Sequence, residues 1–265
     1  MIQRLLMAAV LIGAPADGLA QERKFEIIDN SFFVEEAFNQ DKGIFQNIFI
    51  WTRDKGGAWD GSFTQEWPVP ALTHQLSYTI PFSGGESSTH IGSVLLNYRY
   101  QALEERAGRP AFAPRISVIL PTGRALDDGN HPGLQGMLPF SKQLGEVYLH
   151  GNAGLTWIHG VQVGPTGHAN LTSPQLAGSV VWNTKPMLNL LFESVVVFED
   201  AVRPTQDTGR NRVVTLSPGL RGGWNLSGDR QIIVGAAVPV TVTGGEKAVA
   251  FLTYFSYELP FTANR

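Results

Sequence analysis

Residues 72–82 read LTHQLSYTIPF, with Leu72, Leu76, Tyr78, Ile80 and Phe82 on one side of the stretch and Thr73, Gln75, Ser77 and Thr79 on the other. A period of two puts the two sets on opposite faces of a β-strand. The pattern recurs in both directions along the chain. In 90–102, Val94, Leu96, Tyr98 and Tyr100 oppose Ser93, Asn97, Arg99 and Gln101; in 146–159, Val147, Leu149, Ala153, Leu155 and Trp157 oppose Tyr148, His150, Asn152 and Thr156. In 210–221, Val214, Leu216 and Leu220 oppose Thr215, Ser217 and Arg221. From Ile44 onward each alternating segment ends in a turn rich in Gly, Pro, Asp, Asn or Ser. Strands are expected near 44–53, 61–67, 72–82, 91–101, 110–122, 134–141, 147–159, 174–184, 187–198, 213–222, 231–242 and 248–261, twelve in all.

Alternating strands build soluble sandwiches as well as membrane barrels. Three features favour a closed antiparallel transmembrane barrel here. The apolar faces carry almost no charge, whereas the outer face of a sandwich meets water. Aromatic residues cluster near strand ends (Tyr98, Tyr100, Trp157, Trp182, Phe198, Tyr257, Phe261), where two interfacial girdles would lie. Connections also alternate in length: 123–133, 160–173 and 199–212 belong to a longer set, 68–71, 142–146 and 185–186 to a shorter one. Pro114, Pro139, Pro174, Pro218 and Pro239 oppose this picture, since a closed ladder has no free edge for a missing N–H. They are expected at rims or bulges.

Composition agrees. The 265 residues are 43% hydrophobic and only 16% charged, with 29 glycines and no cysteine. Disulfides, thiolate metal sites, a cysteine nucleophile and a lipoprotein anchor are therefore excluded. A net charge of −3 gives no reason to expect nucleic-acid binding. Arg4, the apolar run Leu5–Ala16 and the small residues Gly18 and Ala20 read as a signal peptide over 1–20, so the chain is expected to be exported. Residues 21–43 read as a periplasmic or plug segment with a short helix. Asn30 or Ser31 would cap it, Glu35 and Glu36 would sit near its first turn, and Phe33, Val34, Ala37 and Phe38 would form its stripe. The barrel is expected over 44–265.

Five ordered segments carry a family resemblance: NSFFVEEAFNQ (30–40), FTQEWPVPALTHQLSYTIP (63–81), HIGSVLLNYRYQ (90–101), APRISVILPTG (113–123) and LHGNAGLTW (149–157). Together they resemble the outer-membrane barrel family labelled "MetA-pathway of phenol degradation". The resemblance implies a Gram-negative outer-membrane location and a passive channel for small aromatic or other hydrophobic compounds. It supplies no catalytic or binding residues.

The sequence contains no G-x-G-x-x-G, P-loop, G-x-S-x-G or H-E-x-x-H, and none of its six histidines begins an H-x-S. No enzyme, cofactor or metal is expected, although a serine and a histidine on different strands would leave an envelope hydrolase open. Asp127-Asp128 in a loop could hold a divalent ion or bridge to lipopolysaccharide, but adjacent loop carboxylates are usually just solvated. The polar faces are more informative. On a closed barrel Asn97, Arg99, Arg115, His150, Asn152, Asn189, Glu193 and Arg221 project into the lumen. Arginines facing a carboxylate can form a selective eyelet, with Glu193 balancing Arg99, Arg115 and Arg221, or the same charges can pair and fill the lumen. Expected partners are outer-membrane lipid and lipopolysaccharide, a small-molecule solute, and the barrel assembly machinery reading a terminal strand that ends at Phe261. A structural or partner-binding barrel without transport is the other reading.

Overall fold

Strand follows strand around a single closed sheet. In chain order these are β1 (Ile44–Asp54), β2 (Trp59–Trp67), β3 (His74–Gly84), β4 (Thr89–Ile91 and Leu95–Tyr100), β5 (Ala111–Phe112 and Arg115–Ile119) and β6 (Gly133–Leu144). Then come β7 (Val147–Val163), β8 (Gly167–Lys185), β9 (Leu188–Val202), β10 (Thr208–Leu226), β11 (Arg230–Ala237 and Val240–Thr243) and β12 (Glu246–Pro260). Each pairs antiparallel with its neighbours, and β1 closes on β12 in continuous register from Ile44↔Pro260 to Asp54↔Ala250. The result is a twelve-stranded antiparallel barrel. The computed structural model describes residues 27, 29–85, 88–123 and 131–261; the expected signal peptide and Asp127-Asp128 lie outside them.

The outer wall is a band of exposed apolar side chains, among them Leu76, Leu96, Ile116, Leu134, Leu155, Leu176, Leu190, Leu216 and Leu220. A soluble surface does not sustain such a band, and hydrocarbon requires one. Trp182, Trp224, Tyr98, Tyr100 and Phe261 stand exposed near the end opposite the tall β7–β8 and β9–β10 hairpins, which in this architecture is periplasmic.

The prolines resolve into a pattern. Pro114 and Pro239 occupy the breaks in β5 and β11. Pro139 and Pro218 sit within ladders but face those breaks, their carbonyls accepting the N–H of Ala113 (3.3 Å) and Val238 (3.0 Å). A residue in an antiparallel strand turns its N–H and C=O to the same side. Each in-ladder proline therefore points its missing donor at a place where the partner strand is already interrupted. Pro174 lies just beyond Gln175↔Val197, where the β8–β9 ladder ends.

Two expectations need correction. The connections expected at 160–173 and 199–212 are mostly ladder: β7 and β8 run 17 and 19 residues and are joined across 164–166, while β9 and β10 meet across 203–207. About 9–11 residues suffice to cross a bilayer, so these hairpins stand in water at their tips, with both faces polar and no alternation left to read. The short N-terminal helix is also absent: the described residues contain no helix, and 29–43 run as irregular chain with bends and a turn. Its backbone donors are claimed by barrel side chains instead of by carbonyls four residues back.

Candidate functional site

Residues 29–40 lie inside the barrel, because their partners come from strands all round it. On one wall Arg221 of β10 donates from Nη1 to the carbonyls of Asp29 (2.9 Å) and Asn30 (2.6 Å), while its Nε is held by Asn189 of β9 (2.9 Å). Ser31 meets Ser179 of β8 at 2.6 Å. Glu193 of β9 accepts the N–H groups of Phe33 (2.7 Å) and Val34 (3.1 Å) through one oxygen. Asn152 of β7 closes a two-way bond with Glu35, accepting its N–H at 2.8 Å and donating to its carbonyl at 2.9 Å.

The opposite wall continues the clamp. Arg99 of β4 donates to the Glu36 carbonyl (2.8 Å), Ser141 of β6 accepts the Ala37 N–H (2.7 Å), and Gln101 and Gln75 accept from Asn39 and Gln40. Asn30 Oδ1 accepts the Glu36 N–H at 3.0 Å and folds the segment back on itself. No backbone–backbone hydrogen bond joins 29–40 to a strand among the described residues. The segment is a plug held by side chains alone.

All eight residues read from strand parity stand on the inner wall, and seven of them are buried, with Arg115 part-buried. Their partners differ from those expected. Glu193 does not balance the arginines; it caps plug N–H groups. Arg99 is paired with Glu66 of β2 (3.4 Å), and Arg115 forks onto Glu35 of the plug at 2.5 and 2.9 Å. Asn97 accepts from Arg115 at 3.1 Å, and His150 bonds Ser141 at 2.7 Å. Strand alternation could have found Glu66, because a carboxylate in a barrel strand is costly anywhere but facing inward. Gln75 was already on the polar face of 72–82, whereas Ser141 and Tyr254, whose hydroxyl reaches Asp29, were not singled out.

Packing completes the clamp. Phe32 packs tilted against Tyr254, ring centroids 5.2 Å apart, within an apolar cluster that includes Ile48, Val181, Leu191, Ile233 and Leu252. Its ring fills a notch where Gly219 and Gly235 stand side by side: a Cβ on Gly235 would lie 2.6 Å from the ring, one on Gly219 2.8 Å. Gly235→Val is therefore expected to push Phe32 out, and its Cβ would also crowd the Arg221 side chain at 3.2 Å. Overpacking costs about 1–3 kcal/mol, which corresponds to a roughly ten- to hundredfold rise in the undocked fraction. Protease accessibility of residues 29–40 in detergent measures it.

The plug carboxyls differ. Burial acts to raise Glu35, but the Arg115 guanidinium and its hydrogen bonds outweigh it and hold the carboxyl below the usual range. Glu36 is pushed up to about 8, first by burial and then by the neighbouring Asp29 carboxylate. Released into water, Glu36 would return toward 4.5, so the docked plug binds the extra proton. The Glu36 contribution to docking is fully present below 4.5 and is lost as pH rises toward 8, whereas that of Glu35 is lost only in acid. Conductance is expected to be higher at pH 9 than at pH 5, and Glu36→Gln to flatten that difference.

The space around the plug is graded. A cavity of about 240 Å³ separates Asn30–Glu35 from the wall that carries Glu66, Asn97, Arg99 and Arg115. Leu95 lines both this cavity and an outer vestibule of about 480 Å³, where the aliphatic side chains of Ile119, Ile158, Leu171 and Val197 stand together with the carboxylates of Asp60, Glu199 and Asp200. At the other end Phe38–Asp41, Gln101 and Gln143 border a polar mouth of about 390 Å³.

No model of a known protein family matches the chain, and no curated protein matches it. Solved structures do. The chain is similar to the COG4313 outer membrane channel from Pseudomonas putida F1, with a TM-score of 0.64 at 9% identity, over 88% of this chain and 99% of that one. It is also similar to the NanC porin, with a TM-score of 0.50 at 8% identity, over 80% of this chain and 100% of that one. At such identities the likeness is one of fold, and the fold is that of an outer-membrane barrel.

Proposed function

We propose that the protein is a passive outer-membrane channel for small aromatic or otherwise apolar molecules, closed in this structure by its own N-terminal segment. The observation that carries this reading is how the plug is held. A segment paired into the sheet would be a permanent part of the wall, whereas one gripped by individual side-chain contacts can be released without breaking a ladder. The aliphatic patch of the outer vestibule and the charged clamp below it suit a solute with an apolar body and a polar end, although Asp60, Glu199 and Asp200 also line the vestibule. The resemblance to the phenol-degradation MetA-pathway family and the fold shared with a channel and a porin support the same reading. Asn97, Arg99, Arg115, His150, Asn152, Asn189, Glu193 and Arg221 would act in selectivity partly through the plug they hold. The terminal strand β12, with Phe261 just beyond it, is what the assembly machinery would read.

Proteoliposome swelling tests it. With the plug released by Gly235→Val, phenylglycine is expected to enter faster than the smaller threonine, and a planar bilayer to show raised conductance. If neither solute enters and neither protein conducts, the barrel is a structural or partner-binding one, and its tall outer hairpins become the place to look.

A further inference from the structure

The outer wall carries a groove that plays no part in the lumen. Near the extracellular ends of β1, β11 and β12 the break at Val238-Pro239 leaves a recess of about 390 Å³, lined by Trp51, Val238, Val249 and Phe251 with Arg53, Asp54 and Lys55 at its rim. These side chains share the lipid-facing parity of Phe49 and Phe255. The charges above the recess are sorted by the same parity. Arg53 lies directly across from Phe251, Lys55 follows two residues on, and Lys247 faces outward across from Val242. All three are exposed, and none forms an ion pair among the described residues. The acids interleaved with them, Asp54 and Glu246, have the opposite parity, and Asp54 accepts the Ala58 N–H at 3.0 Å.

We propose that this recess seats a phosphorylated acyl glycolipid of the outer leaflet, with an acyl chain against Trp51, Val249 and Phe251 and phosphates on Arg53, Lys55 and Lys247. Charge complementarity selects this occupant: an apolar slot at membrane depth opens directly beneath three cations that form no ion pair among the described residues, and the one acid at its edge, Asp54, is engaged by the Ala58 N–H of its own turn. The level of Phe251 and that of Lys247 are four residues apart, roughly 13 Å along the strand. That span accommodates two phosphates rather than one. The proposal rests on the barrel lying in an outer membrane and is independent of what crosses the lumen.

Binding of diphosphorylated lipid A to the full chain in detergent, read by native mass spectrometry, tests it. Arg53→Gln/Lys55→Gln/Lys247→Gln is expected to weaken binding at least tenfold, and dephosphorylating the lipid to do the same to the wild type. Val249→Asn is expected to weaken it with the charges intact. Lys185→Gln/Arg230→Gln, which removes cations at the opposite rim, is expected to leave binding unchanged, with heat-modifiable migration showing every variant folded. Undiminished binding by the triple variant overturns the proposal. So does an equal loss in the opposite-rim control, or equal affinity for phosphatidylglycerol.

Discussion

Glu193→Ala is expected to raise the open fraction of the channel about a hundredfold, while Glu193→Gln stays close to wild type. One carboxylate oxygen accepts both the Phe33 and the Val34 N–H, and the side chain is fully buried. Alanine leaves two buried donors without a protein acceptor, and each such orphan costs about 1–3 kcal/mol. A loss near 3 kcal/mol is about two decades in the docking equilibrium. Glutamine keeps a carbonyl oxygen at the same reach. Single-channel recording separates the two readings of Glu193: if its charge selected solutes, both variants would alter ion selectivity, whereas a capping role makes only alanine change gating. Equal conductance of Glu193→Ala and wild type would remove Glu193 from the clamp.

The second large effect comes from locking the plug instead of freeing it. Ser31 Oγ and Ser179 Oγ approach to 2.6 Å, and the chain has no other cysteine to compete if both are replaced. A disulfide needs sulfurs about 2.05 Å apart, a closure that small side-chain adjustments can supply. Ser31→Cys/Ser179→Cys is expected to abolish conductance under oxidising conditions and to restore it on reduction. Combined with Gly235→Val, the bridge should hold the channel shut despite the displaced Phe32. A conducting, oxidised double variant would show that solute passes beside the docked plug.

The strands were legible because lipid enforces the pattern. Every outward position that crosses hydrocarbon must be apolar, so parity alone placed residues as distant as Asn97 and Arg221 on one inner wall. The plug was not legible. Phe33, Val34, Ala37 and Phe38 have helical spacing, and Glu35 and Glu36 suit a first turn, but those are local signals. The contacts that decide the conformation reach from Glu35 to Asn152 and from Val34 to Glu193, more than a hundred residues away. Tertiary donors and acceptors overrode a weak local preference. The charge pairing failed to read out for the same reason. Parity brings arginines to the lumen without saying which carboxyl meets them, so Glu35 and Glu66 took the places expected for Glu193.

The distribution of the plug's partners also dictates an order of assembly. Residues 29–40 are made before any strand, yet their docking surface takes in side chains from β3 through β12. That surface does not exist until β1 has paired with β12 and the barrel is shut. Docking is therefore the last event in folding, and a seated plug certifies a closed seam. A barrel whose seam has failed leaves the same segment loose and exposed to periplasmic proteases, so the device that closes the channel also reports whether the molecule was built correctly.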